Sequence, residues 1–201
     1  QTCALPILVD RLVVTTEPLR EMAADMIADI RVVPNRLSRE YWGNVQSQRN
    51  VGRKPRVGWV GAQQHQGDLA LLEEVIKATA HEVDWVFMGM WPQGLDAYIA
   101  EKHEPVSFDQ YPAKMASLNL DIAVAPLETL PFNEAKSNLR LLEYGVMGWP
   151  VICSDVYPYR TGEAPVTRVG DDAKAWIAQI RRLAADPAAR AREGDQLRAW
   201  V

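Results

Sequence analysis

Ala135-Lys136-Ser137-Asn138-Leu139-Arg140-Leu141-Leu142-Glu143-Tyr144-Gly145-Val146-Met147-Gly148-Trp149-Pro150-Val151-Ile152-Cys153-Ser154 is the stretch on which the fold turns. Leu139, Leu142, Val146 and Met147 recur at helical spacing, which predicts a helix over Ala135–Met147 with this side toward a core. Gly148 supplies the stop, and the apolar run Pro150–Ser154 follows as a strand. Pro150 is tolerated because it opens that strand. Upstream, Asp121–Ala125 is a second short apolar run, leading into the long loop Pro126–Asn133. Strand, helix and strand in this order make a βαβ unit, so the sheet is expected to be parallel and the class α/β.

The alternation continues in both directions. Arg56–Val60 reads as a strand, followed by the loop Gly61–Gly67 and a helix from Asp68, as its N-cap, to about Ala80. Asp84–Met88 is the next strand, then a helix near Leu95–Lys102, a short strand Val106–Phe108 and a helix about Ala113–Leu118. Two helices close the chain, Asp171–Ala185 and Pro187–Val201, with Pro187 suited to a first turn. Near the start, Arg11–Thr15 and Ile30–Val33 read as strands around a helix Glu17–Ile27. Thr16 is its expected N-cap and Pro18 sits in its first turn. Ser38–Pro55 is polar, holds Gly43 and Gly52, and carries Arg49, Arg53 and Lys54, the composition of a linker. The expected organisation is therefore a βαβ remnant over residues 8–37, a linker over 38–55 and a Rossmann-like, doubly wound parallel sheet over 56–201. Gln1–Ile7 back-translates as CAG ACG TGT GCT CTT CCG ATC, which looks like the end of a sequencing adapter. Residues 1–7 are therefore expected to be a read artefact.

Composition narrows the function classes. A formal charge of −4 gives no general surface for nucleic acid or an anionic membrane. No apolar run approaches the roughly 20 residues of a membrane helix. Cys3 and Cys153 form neither a disulfide framework nor a metal-ligand spacing, and Cys153 lies in an apolar run suited to a buried thiol.

In an open parallel sheet, ligands bind beyond the carboxyl ends of strands. The glycine-bounded loop Gly61–Gly67, which contains His65, could offer amides to a phosphate, although a flexible connection fits the same residues. Gly89 ends a strand and permits close backbone approach, or simply makes a turn. Tyr111 could flank a nucleobase or serve as a core aromatic. Glu143 shares the apolar side of the central helix, where an ionised carboxylate needs a partner. Lys136 lies two turns earlier on that face, about 10 Å away at 1.5 Å per residue, and opposes the helix dipole. A ligand with an anionic group near the helix start and hydroxyls further along would satisfy both, as a nucleoside diphosphate sugar does. Equally, Glu143 could pair with Arg140 while Lys136 stays solvated.

The stretch Phe132–Tyr159, with its F-N-x-x-K-S, L-E-Y and G-x-P-V-x-x-S-D blocks, closely resembles the C-terminal donor domain of GT-B glycosyltransferases. Within that group it is most similar to family 4, the group-1 type. Arg56–Asp68 and Asp121–Leu127 resemble the first and fourth strands of that domain. Thr15–Leu19 and Val32–Leu37 resemble the tail of the N-terminal acceptor domain. The resemblance implies that the chain is the C-terminal half of a GT-B fold with a remnant of the other half. It further implies retaining transfer from a nucleotide sugar, with no cofactor and no metal, in polysaccharide or glycoconjugate assembly. Partners would be the nucleotide-sugar donor and a glycan acceptor, and the location cytoplasmic, with peripheral contact at the inner face of a membrane left open. Glu143 would hold the ribose, Lys136 the diphosphate, and Ser137, Asn138 and Leu139 would offer amides to phosphate and sugar. The family's further Glu falls at Ala135 here, so Glu134 is the candidate sugar contact. With little of the acceptor domain represented, the chain is expected to bind donor weakly and not to turn over. Two alternatives stand beside this reading: a nucleotide-sugar epimerase or hydrolase on the same fold, and a non-catalytic binding module.

Overall fold

A computed structural model of the chain describes residues 9–52, 54–62 and 65–201, with the side chain of Gln66 outside that description. The adapter-like segment 1–7, Arg53 of the basic stretch, and Gln63 and Gln64 of the glycine-bounded loop lie outside the described residues.

Six parallel strands form the main sheet: β3 (Arg56–Val60), β4 (Asp84–Met88), β5 (Glu101–His103), β6 (Ile122–Ala125), β7 (Val151–Ser154) and β8 (Thr167–Val169). Their spatial order is β5-β4-β3-β6-β7-β8, with every neighbouring pair parallel. Counted from β3, this is the 3-2-1-4-5-6 order of a doubly wound Rossmann sheet. The central strands are buried on both sides, which is why they read as continuous apolar runs. A separate two-stranded parallel sheet pairs β1 (Leu12–Val14) with β2 (Ile30–Val32) across α1 (Glu17–Ala23).

Helices cover both faces. On one lie α3 (Gln66–Ala70), α4 (Glu73–Thr79) and α9 (Ala173–Ala185), which bring Leu69, Ile76, Trp176 and Ile180 against Trp59 and Trp85. On the other, α5 (Tyr111–Ser117), α7 (Leu139–Val146) and α10 (Pro187–Trp200) bring Met115, Leu141, Tyr144 and Leu197 against Val60, Ala123 and Cys153. Trp59, Trp85, Trp149 and Trp176 are fully buried, and truncating any of them is expected to cost about 3–5 kcal/mol. Thr16, Asp172 and Asp186 cap α1, α9 and α10 through their side chains, as short polar residues before a helix should. Gly148, at φ +74°, ends the helical segment before Trp149 and Pro150 lead into β7.

Several expectations are corrected. The helix predicted over Ala135–Met147 begins only at Leu139, because a short helix α6 (Pro131–Glu134) precedes it and the turn at Ala135–Asn138 separates the two. Lys136 N–H bonds to Asn133 O in that turn, so Lys136 and Glu143 do not share a helix face. The helix expected from Asp68 starts at Gln66 and breaks after Ala70, and Asp68 is not its cap. In place of a helix near Leu95–Lys102 there is a single 3-10 turn, Asp96–Tyr98. The strand expected at Val106–Phe108 lies instead at Glu101–His103. That edge strand is polar and is held by its partners, Arg56 with Glu101 and Lys114 with His103, so it carries no apolar period. The polar segment 38–55 contains α2 (Arg39–Trp42), capped by Ser38, whose Trp42 is buried in the core. Finally, α8 (Tyr157–Arg160) and the short edge strand β8 have no counterpart in the predicted elements.

Candidate functional site

The strand order reverses between β3 and β6, and the crevice outside their carboxyl ends is where a doubly wound sheet binds ligands. Here that crevice is a cavity of about 700 Å³ whose lining includes Gly61, His65, Gly89, Tyr111, Leu139, Arg140 and Glu143. A second cavity of about 870 Å³ lies alongside and takes in Lys136, Ser137 and Asn138. Arg36, Leu37, Ser38 and Trp42 wall both. The nine residues singled out for donor binding therefore fall into two adjoining groups, while Glu134 lines neither cavity. Its carboxylate accepts a hydrogen bond from Tyr157 N–H at 2.8 Å, at the start of α8.

Glycines let the strand ends approach each other. Gly89 has φ +90°, and a Cβ there would lie 2.1 Å from Gly61 O. At Gly61 itself, a Cβ would meet the Trp59 ring at 2.4 Å and Arg140 Nη2 at 3.0 Å. Side chains cannot be added at either place without moving the β3 loop.

Arg140 is the centre of charge in the crevice. Its Nη1 donates to Val60 O and, at 3.3 Å, to the Tyr144 hydroxyl, and its guanidinium stands 5.0 Å from the centre of the Trp59 ring. No carboxylate lies within salt-bridge distance of Arg140 or of Lys136 among the described residues. The Arg140–Glu143 pair that the sequence allowed is thus not formed. Glu143 instead accepts from the Tyr111 hydroxyl at 3.4 Å. Burial pushes the Glu143 carboxyl above its ordinary range, against the pull of Arg140 and the Tyr111 hydrogen bond. Lys136 is pushed down, chiefly by burial, although Asp68 and Glu128 pull the other way. Both ionised forms are less comfortable here than in water, the condition a polar ligand relieves.

Asp68 ties its own turn to the loop at Glu128 and to α6 at Asn133. It is 3% exposed, its Oδ1 accepts from Glu128 N–H at 2.9 Å and Asn133 Nδ2 at 3.3 Å, and its Oδ2 lies 2.6 Å from His65 Nδ1. Burial alone would raise its pKa, but the hydrogen bonds from His65 and Glu128 outweigh it and hold the carboxyl below the usual range. Asp68, Arg140 and Asn133 were missed as site residues in the sequence. The signal lay in His65-x-x-Asp68, where a three-residue spacing on a helical turn puts two polar side chains together. Aromatic residues line the outer part of the crevice. Tyr41 of α2 stacks on Phe108 at 4.5 Å and 12°, and Trp42 meets Tyr111 edge-on at 5.8 Å. No group of three or more His, Cys, Asp or Glu side chains is placed to hold a metal among the described residues. No helix there is long and apolar enough to cross a membrane.

No family model and no curated protein matches this sequence. Solved structures do match. TarM is similar over 97% of this chain and 40% of its own, with a TM-score of 0.69 at 13% identity. Sucrose-phosphate synthase from Thermosynechococcus elongatus matches over 96% and 53%, with a TM-score of 0.65 at 15% identity. HepE from Anabaena, solved with UDP and glucose, matches over 95% and 58%, with a TM-score of 0.70 at 11% identity. This chain thus spans about half the length of these GT-B glycosyltransferases, and the likeness carries the fold: a Rossmann-like domain of GT-B type.

Proposed function

We propose that this chain binds a nucleoside diphosphate sugar in the crevice between β3 and β6, as the donor-binding half of a retaining GT-B glycosyltransferase of the family 4 type. One observation carries the proposal: Arg140 and Lys136 bring to the switch point of the sheet two cations that no carboxylate pairs at salt-bridge distance among the described residues, close to a half-buried Glu143. An anion flanked by hydroxyls answers that arrangement. The ribose hydroxyls donate to Glu143, whose orientation Tyr111 fixes. The diphosphate lies toward Arg140 and Lys136, and the amides of Ser137–Leu139 face the sugar side. The donor spans both cavities, with the nucleoside on the Glu143 side. HepE, which carries UDP and glucose on the same fold, supports this reading. Acceptor, transferred sugar and turnover belong to a longer enzyme of which this chain supplies the donor wall, so donor binding is the activity expected of the chain by itself. Binding needs no cofactor beyond the donor.

Calorimetric titration of the chain with UDP, GDP and ADP tests the proposal. One of the three should bind saturably. Lys136→Ala and Glu143→Ala should each weaken it by roughly tenfold or more, the loss of a hydrogen bond to a charged group. A folded chain that binds none of them, or binds with both variants unchanged, would contradict it.

A further inference from the structure

The Asp68–His65 pair is built more heavily than a loop connection requires. Asp68 is buried and fixed by Glu128 N–H and the Asn133 amide, and the imidazole is the only member of the group that reaches the cavity. An ionised Asp68 accepts only, so His65 Nδ1 at 2.6 Å must carry a proton and donate it. The tautomer is thereby set, and Nε2 is the nitrogen left facing the cavity without a fixed proton. Nε2 faces Arg140 Nη2 at 3.5 Å. Guanidinium N–H groups only donate, so Nε2 can meet Arg140 as an acceptor, in the neutral ring. A protonated Nε2 would point a donor at a donor, unless an anionic oxygen lay between them.

Among the described residues, every element packed against the imidazole bears on that choice. From α3, Asp68 favours the cation, and from α7, Arg140 opposes it, with Glu143 beyond. From β3, Trp59 offers only its ring, edge-on at 5.7 Å. Glu128 donates its N–H to Asp68 and lays its carboxylate against Gly67, two residues from His65, while Lys136 acts on Asp68 through charge. Between themselves, Arg140 and Asp68 work against each other on the imidazole. A bound anion removes the opposition.

We infer that His65 is a proton-coupled diphosphate ligand: a phosphate oxygen entering between Nε2 and Arg140 brings a proton onto Nε2, so that imidazolium and guanidinium clamp it together while Asp68 holds the ring. The inference rests on the donor-binding reading above and adds which residue changes charge when the donor arrives. His65 contacts the ligand, whereas Asp68 is a positioning residue.

The chain has three histidines, His65, His81 and His103, so their imidazole ¹⁵N signals can be told apart by His65→Gln. The expected result is that UDP, GDP or ADP, whichever binds, and inorganic pyrophosphate at higher concentration, move the His65 Nε2 signal from the neutral to the protonated position near pH 7.5. Calorimetry in buffers of different ionisation enthalpy should show uptake of up to one proton per diphosphate. His65→Gln should abolish that uptake and weaken binding roughly tenfold. Asp68→Asn has one acceptor oxygen where Asp68 uses two, so the imidazole loses its carboxylate partner; with the fold checked by circular dichroism, it should cut the uptake. Nucleotide binding that depends on Lys136 and Glu143 while His65 stays neutral and His65→Gln binds normally would overturn this inference and leave the donor-site reading standing. Failure of all three nucleotides to bind would overturn both.

Discussion

Glu143 shows how the site sets binding against stability. Burial raises its folded-state pKa above the unfolded value, so the folded chain holds that proton more tightly than the unfolded one. The stabilising contribution is complete below the unfolded pKa and is lost as pH rises through the folded pKa. At neutral pH the ionised carboxylate is therefore a net cost. Glu143→Gln should raise Tm at pH 7.5 by roughly 2–4 °C for each kcal/mol recovered, and the gain should shrink toward pH 4.5. The same change should weaken nucleotide binding by roughly tenfold or more through loss of the charged acceptor. Thermal scans at the two pH values check the first, and titration checks the second. A Tm that falls at pH 7.5 would mean that the carboxylate is already satisfied without a ligand.

Among elements, the ends of β3 and β4 matter most, because they hold the crevice open at the right width. Gly89→Ala would place a methyl group against Gly61 O on a backbone at φ +90°, a strain of about 1–3 kcal/mol before the overlap is counted. The expected outcome is a lower urea midpoint with an unchanged slope, together with lost nucleotide binding from the displaced β3 loop. Elements of this kind were readable because they are buried on both sides. The bounds of β3 and β4 were read to the residue from their apolar runs, and β6 and β7 to within one residue of a terminus. Edge strands β5 and β8 were not readable, since hydrogen bonds and ion pairs hold them without apolar alternation. The same limit applied to the site. Glu143 stood out as a carboxylate on an apolar stripe, but Asp68 became legible only once His65, Glu128 and Asn133 had folded around it. Lys136 was placed on the wrong element because a helix-compatible composition hides a turn whose stabilising bonds are tertiary: Asn35 Nδ2 donates to Ser137 Oγ at 2.7 Å, across 102 residues.

At the scale of the molecule, that bond is one of two side-chain bonds that, among the described residues, tie the N-terminal segment to the turn at Ala135–Asn138. The other is Thr16 Oγ1–H to Ala135 O at 2.7 Å. Together they fasten β1–α1–β2 over the turn that carries Lys136 and form a wall of the larger cavity. The site is therefore assembled from two parts of the chain: His65, Arg140 and Glu143 from the Rossmann-like domain, Arg36 to Trp42 from the connecting segment. A structure of the chain crystallised with the tightest-binding of UDP, GDP and ADP tests that assembly most directly. The expected result is a diphosphate within hydrogen-bonding distance of Arg140 and Lys136, with both ribose hydroxyls on Glu143. A nucleotide bound with its ribose away from Glu143 and its phosphates away from both cations would contradict the donor site.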